Sequence, residues 1–191
     1  MSNLDQIPDT LPVPENDGGA DHLIGMKLAD IKLPATTGEA VSLAERGGLL
    51  VLYAYPMTGR PDTPLPVGWD EIPGARGCTP QSCSFRDHMV ELKDLGVDHV
   101  FGISTQAREY QKEAAERLHL PFPLLSDGEQ KFQTAMNLPV MKVDVVGQNN
   151  NLLKRLALVI ENRVIKKVFY PVFPPDRNAA DVLEWLKSRN A

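Results

Sequence analysis

Cysteine is scarce in this chain: there are two in 191 residues, Cys78 and Cys83. Two are too few for a disulfide scaffold. In a reducing compartment, such a close pair is more often catalytic, redox-active or metal-binding than structural. Long apolar runs are also missing. No stretch reaches the roughly 18 apolar residues that a membrane-spanning helix needs. Positive charge is not in excess, the net charge being -5. That balance argues against general nucleic-acid binding, which calls for a basic face. The doublets Lys154-Arg155 and Lys166-Lys167 flank strand-like runs and read as solvated strand ends. The opening residues, Met1 to Asp21, have neither a basic start nor an apolar core, so they do not read as a secretory signal. They are rich in Pro, Asp, Asn and Gly and are expected to form a flexible lead-in. A cytoplasmic location is the default expectation. Residues 22–191 are expected to form a single domain, long enough to bury its own core.

Along the chain, strand and helix signals alternate. Leu49 to Tyr55 is a continuous apolar run stopped by Pro56, as in a buried strand. Pro56 to Gly77 holds five prolines and four glycines and is expected to be irregular. A loop of that length inside a compact domain is often functional. Thr79-Pro80 has the form of a helix start, a hydroxyl cap followed by proline. Phe85, Met89, Leu92 and Leu95 continue at helical spacing. Val97 to Ile103 predicts a second buried strand, and Tyr110, Ala114 and Leu118 a second helix. Phe122 to Leu125 predicts a short strand and Lys131 to Leu138 a short helix. Leu156 to Ile160 and Val164 to Tyr170 predict a hairpin turning near Asn162. Asp176 to Lys187 predicts a closing helix. The expected fold is α/β, with a central mixed sheet flanked by helices in thioredoxin-like order.

The chemistry points to Gly77-Cys78-Thr79-Pro80-Gln81-Ser82-Cys83-Ser84-Phe85-Arg86-Asp87. Unpaired backbone N–H groups and the dipole at a helix start stabilise an anion, which favours the reactive thiolate of Cys78. A buried, inert cysteine is the plain alternative, and it is stronger for Cys83. The histidines, His22, His88, His99 and His119, stand at no metal-like spacing from the cysteines, so no metal is expected.

GCTPQSCSFRD closely resembles the GCT-x-x-x-C-x-FRD signature of the bacterioferritin-comigratory-protein, or PrxQ, class of peroxiredoxins. The resemblance extends from about Leu23 to Leu186. It takes in Tyr55-Pro56 before the active site, Gly102-Ile103-Ser104-Thr105, Pro123-Leu124-Leu125-Ser126-Asp127, and Arg155 ahead of the Leu156 to Ile160 strand. It implies a thioredoxin-like fold and thiol-dependent reduction of hydrogen peroxide or organic hydroperoxides. Cys78 would be the peroxidatic cysteine, Cys83 the resolving one, and Arg155 the cation that supports thiolate and peroxide. Pro56 would follow the strand as the family's proline does. The implied partners are a peroxide and a thioredoxin-like or other dithiol reductant, the chain being a monomer or homodimer. No organic cofactor is implied.

One departure stands out. The family places proline seven residues and threonine three residues before the cysteine, and here those positions hold Glu71 and Ala75. About 15 residues look inserted within 57–76. Thr58, or Thr63, is the candidate substitute for the missing threonine, and both also read as ordinary loop residues. Two other functions compete. A disulfide oxidoreductase usually carries Cys-x-x-Cys, which the wider gap here disfavours. A peroxide sensor would oxidise once and stall. The assigned roles predict that Cys78→Ser abolishes peroxide reduction. Cys83→Ser should still consume about one equivalent and leave a trappable sulfenic acid. Peroxide titration with sulfenic-acid trapping checks both, and the opposite pattern would reverse the roles.

Overall fold

The computed structural model describes residues 4–143 and 151–189. Residues 1–3 of the expected lead-in, and 144–150 and 190–191 of the expected domain, lie outside the described residues. In chain order the elements are β1 (Lys32–Pro34), β2 (Ala40–Ser42), β3 (Leu49–Ala54), α1 (Cys78–Asp87), α2 (Met89–Asp94), β4 (Val97–Ser104), α3 (Arg108–Arg117), β5 (Leu124–Ser126), α4 (Lys131–Met136), β6 (Val140–Lys142), β7 (Asn151–Leu153), β8 (Leu156–Glu161), β9 (Val164–Phe169) and α5 (Asn178–Arg189). The main sheet has the order β5-β4-β3-β8-β9. Strand β3 runs parallel to β4 and antiparallel to β8. This is the mixed, thioredoxin-like α/β arrangement that the order of elements predicts.

The central strand explains the two-sided core. Successive side chains on a strand point to opposite faces. Leu50, Leu52 and Ala54 join Leu23, Phe132 and Leu158 on one face. Val51, Tyr53 and Tyr55 join Cys78, Phe85, Leu92 and the α5 residues Val182 and Leu186 on the other. A strand covered on both faces must read as an unbroken apolar run, as this one does. The hairpin β8–β9 turns through Asn162 and Arg163, both with positive φ, as its tight turn requires.

Several expectations are corrected. Helix α1 begins at Cys78, with Gly77 as its N-cap, instead of at Thr79-Pro80. Pro80 is the third helical residue, still within the first turn, whose N–H groups have no intrahelical acceptor. Gly77 is the required residue, because its φ of 101° is left-handed and a Cβ there would stand 2.3 Å from Pro175 Cγ. The periodic run from Phe85 to Leu95 is two helices, broken at His88. Strands β1, β6 and β7 carry no sequence signal, since three residues are too few to show a period. The N-terminal segment is laid against the body. Leu4 is buried, and Asp17 accepts hydrogen bonds from Lys154 and Tyr170.

The stretch between β3 and α1 is irregular, as its prolines and glycines predict, with a 3-10 turn at Trp69–Glu71. Trp69 is 2% exposed and packs with Met57, Ala75, Val143 and Leu152 in a small third core. That core ties the stretch to the domain. Trp69→Ala should therefore lower stability by about 3–5 kcal/mol. Urea unfolding checks this; a loss below about 1 kcal/mol would mean that the loop is not part of the packed core.

Candidate active site

The site forms where four pieces of chain meet: the first turn of α1, residues 74–76 before it, Arg155 just ahead of β8, and the start of α5. Cys78 is 3% exposed. Arg155, which would otherwise read as a surface charge, is buried to the same degree. Its Nη2 stands 3.2 Å from Cys78 Sγ. The same nitrogen donates to the carbonyls of Gly74, Ala75 and Arg76 at 3.2, 3.2 and 3.0 Å. Nη1 donates to Gln81 Oε1. The planar guanidinium suits this use, because one fork serves acceptors on several sides. Its Nε–H is buried and has no hydrogen-bond partner among the described residues.

Gln81 carries no sequence signal of its own, yet it is fully buried between the two cysteines on α1. Its Nε2 donates to Asn178 Oδ1 at the start of α5, 2.9 Å away. The chain Arg155–Gln81–Asn178 thus fixes the first turn of α1 against β8 and α5. A polar residue at a position facing the core is the signal that could have marked it. Below the turn, Tyr53 stacks on Phe85 with ring centres 4.5 Å apart and donates a hydrogen bond to Ser82.

Cys83 lies five residues on, on the same helix, and is half-buried. Burial, partly opposed by the Arg86 cation, pushes its thiol above the ordinary cysteine value. Arg86 pairs with Asp87 and donates to the Leu118 carbonyl, a structural use.

Pro56 is buried directly after β3. Thr58 is also buried, but its hydroxyl and its N–H both donate to Gln106 Oε1, at 3.1 and 2.9 Å. Gln106 Nε2 returns a bond to the Thr58 carbonyl. Thr58 thus stands in a closed amide exchange with Gln106. Thr63 is exposed and bonds its neighbour Asp62. At the threonine position itself, Ala75 offers a backbone carbonyl 3.6 Å from Cys78 Sγ. Among the described residues, no group of three or more His, Cys, Asp or Glu side chains is placed to hold a metal ion. No helix among them is long and apolar enough to cross a membrane.

If Arg155 supports a thiolate at Cys78, Arg155→Ala should slow oxidation by peroxide at least tenfold, the loss of a charge-assisted hydrogen bond. Arg155→Lys should recover only part, keeping the charge without the fork. Stopped-flow oxidation kinetics check both, and unchanged rates in Arg155→Ala would remove it from the chemistry.

Comparison with known proteins gives the family of the chain. The redoxin family model matches residues 23–183. Peroxiredoxin Bcp of Escherichia coli K12 is 33% identical over 168 residues, covering 85% of this chain and 96% of the relative. Peroxiredoxin Q, chloroplastic, of Oryza sativa subsp. japonica is 33% identical over 166 residues, covering 86% of this chain and 66% of the relative. The chain thus spans about two thirds of the rice protein's length. The crystal structure of peroxidoxin BcpB from Mycobacterium tuberculosis superposes with a TM-score of 0.66 at 28% identity, covering 86% of this chain and 96% of that one. The chain belongs to the redoxin family, and within it to the peroxiredoxins of the Bcp and PrxQ kind.

Proposed function

We propose that the chain is a thiol-dependent peroxidase in which Cys78 reduces hydrogen peroxide or organic hydroperoxides and Cys83 resolves the product. The observation that carries this reading is the buried Arg155 guanidinium 3.2 Å from Cys78 Sγ at the first turn of α1. The thiolate of Cys78 attacks one peroxide oxygen. The O–O bond breaks, the second oxygen leaves with a proton as water or alcohol, and the sulfur becomes a sulfenic acid. Arg155 stabilises the negative charge that moves from sulfur to the leaving oxygen. Cys83 then attacks that sulfur as thiolate. A disulfide forms and the hydroxyl leaves, with a proton, as water. A thioredoxin-like or other dithiol donor returns both thiols, and no organic cofactor or metal takes part. Pro56 walls the site. Thr58, whose hydroxyl donates to Gln106, is the candidate substitute for the family's threonine. Residues 57–76 act as an insertion in a single domain of monomeric or homodimeric protein. A reducing compartment, the cytoplasm in the first instance, keeps the pair ready for the cycle.

Peroxide consumption coupled to thioredoxin and its reductase tests the activity. Sustained turnover that is lost in Cys78→Ser supports it; a single stoichiometric oxidation that stalls with reductant present would make the chain a sensor.

Resolution demands a rearrangement. Cysteines five apart on an intact helix have Cα atoms roughly 8.7 Å apart, from a rise of about 1.5 Å per residue and an offset of about 140°. A disulfide needs no more than about 6.8 Å. The first turn of α1 must therefore open, and with it the bonds from Gln81 to Arg155 and Asn178. Hydrogen exchange over residues 79–86 should be faster in the oxidised protein. Equal protection in both states, with the Cys78–Cys83 bond confirmed by mass spectrometry, would contradict the opening.

A further inference from the structure

The N-terminal segment is fastened at both ends of the stretch that leads into α1. At its start, Leu4 is buried against Gly59. A Cβ on that glycine would stand 2.8 Å from Leu4 Cδ2 and 3.0 Å from Leu65 Cδ2. Further on, Pro14 covers Gly74, its Cβ 3.6 Å from the place where a Cβ of Gly74 would stand. Asp17 then ties the segment to the body of the domain. Lys154 Nζ is 2.6 Å from Asp17 Oδ2, and the Tyr170 hydroxyl donates to Asp17 Oδ1 at 2.6 Å. The Gly19 N–H donates to that same Oδ1 at 3.0 Å. These bonds, the one from Lys154 foremost, hold the carboxyl well below the ordinary carboxylate range, so the anchor stays ionised.

The fastenings fall on groups that hold the active site. The Gly74 carbonyl accepts from Arg155 Nη2 at 3.2 Å, and the carbonyls of Ala75 and Arg76, next in the chain, accept from the same nitrogen. Gly77 then caps α1, so three residues separate the contact with Pro14 from Cys78. Lys154, the partner of Asp17, directly precedes Arg155. At the other end, Asp5 follows Leu4 and acts on the second sulfur. Burial pushes the Cys83 thiol up, Arg86 opposes it, and the carboxylates of Asp87 and Asp5 add to the rise.

The two chemical steps at Cys78 make different demands on this part of the chain. Attack on peroxide needs no backbone movement, because the sulfur already stands 3.2 Å from Arg155 Nη2. Resolution needs the first turn of α1 to open, because cysteines five apart on a helix are too far apart to bond. Cys78 cannot leave the helix without drawing on residues 74–76, to which it is joined through Gly77. Those residues are held by Arg155 on one side and meet Pro14 on the other. Displacing them displaces Pro14 and pulls against the bonds of Asp17, three residues away. The segment therefore bears on the second step and not on the first.

We propose that residues 4–17 form a strap that holds the first turn of α1 closed, and so sets how long the Cys78 sulfenic acid lasts before Cys83 resolves it. The inference rests on the peroxidase reading. In the step that the strap slows, Cys83 gives up its proton and its sulfur bonds to that of Cys78. The S–O bond of the sulfenic acid breaks, and the hydroxyl takes up a proton and leaves as water. While the strap holds, a second hydrogen peroxide can oxidise the sulfenic acid by two electrons to the sulfinic acid and leave as water. The strap thus sets the division between the disulfide and the sulfinic acid.

The test uses the full chain, with Asp17→Ala to release the anchor and Asp17→Asn to keep its acceptor without its charge. Stopped-flow fluorescence separates a peroxide-dependent oxidation from a peroxide-independent resolution. Resolution should be about fivefold faster in Asp17→Ala, the weight of about one hydrogen bond, with Asp17→Asn in between. The oxidation rate should stay as it is in both. Glu39→Ala, which breaks the exposed pair with Arg46, should change neither step. By mass spectrometry, Asp17→Ala should need more peroxide than wild type to reach half sulfinic acid. Hydrogen exchange of the reduced protein over residues 74–82 should be faster in Asp17→Ala, with thermal unfolding confirming that it folds. An unchanged or slower resolution step overturns the proposal, and so does an equal change in both steps, which would make the segment a general support. If wild type does not react with peroxide, the peroxidase reading fails. Disulfide formation driven by diamide, a thiol oxidant, then reads the strap, and equal rates with equal exchange in wild type and Asp17→Ala overturn it.

Discussion

The contact on which this structure turns is the Arg155 guanidinium buried against Cys78. A buried cation is tolerated only when its hydrogen-bond donors are nearly all engaged. Here the acceptors are a sulfur, three backbone carbonyls and a glutamine side chain. None is a formal carboxylate. The arginine therefore keeps a net positive field at the sulfur, which a neighbouring aspartate would cancel. Its need for acceptors also explains why residues 74–76 and Gln81 stand where they do. The stretch before α1 and the first turn of that helix are organised around one side chain that enters from β8.

The sheet makes this possible. Strand β3 pairs with β4 on one side and β8 on the other, so the active-site helix and Arg155 are carried on adjacent strands. Both faces of β3 are covered, which keeps water from the backbone beneath the site and leaves the helix start as the local source of free N–H groups. Asn178 at the opposite end of the Gln81 bridge links the same turn to α5. The first turn of α1 is thus held by side chains from two other parts of the chain. It is held by hydrogen bonds, each worth about 0.5–1.5 kcal/mol net, together with the packing of Cys78 in the core.

Much of the fold was legible in the sequence because its long elements have unambiguous signals. The apolar run of β3, the hairpin around Asn162 and the periodic face of α5 needed no tertiary information. The short strands β1, β6 and β7 did, since only their partners define them. Helix α1 was placed two residues late because Thr79-Pro80 carries a local start signal, whereas the true cap, Gly77, is selected by the approach of Pro175. At the site, Cys78 and Cys83 were legible from local chemistry. Arg155 was not: beside Lys154 it looks solvated, and only the family motif marked it. Thr58 is offered by the resemblance as a substitute for the missing threonine if the insertion folds outward, and its hydroxyl donates to Gln106, 48 residues away. Gln81 was passed over because a glutamine in a helix has no intrinsic signature, and its role exists only once β8 and α5 are in place.

Gly77 bears on all of this through an atom that it lacks. Its backbone is left-handed, and the space where a Cβ would stand is occupied by Pro175. Either constraint alone would make substitution costly, and together they close the position to every other residue. The start of α1 and the turn ahead of α5 meet across that bare backbone, one residue from Cys78. A single added methyl would act as a shim under the helix. Such a change would leave both cysteines and the arginine intact and still press the start of the helix, with Cys78, away from its place beside Arg155.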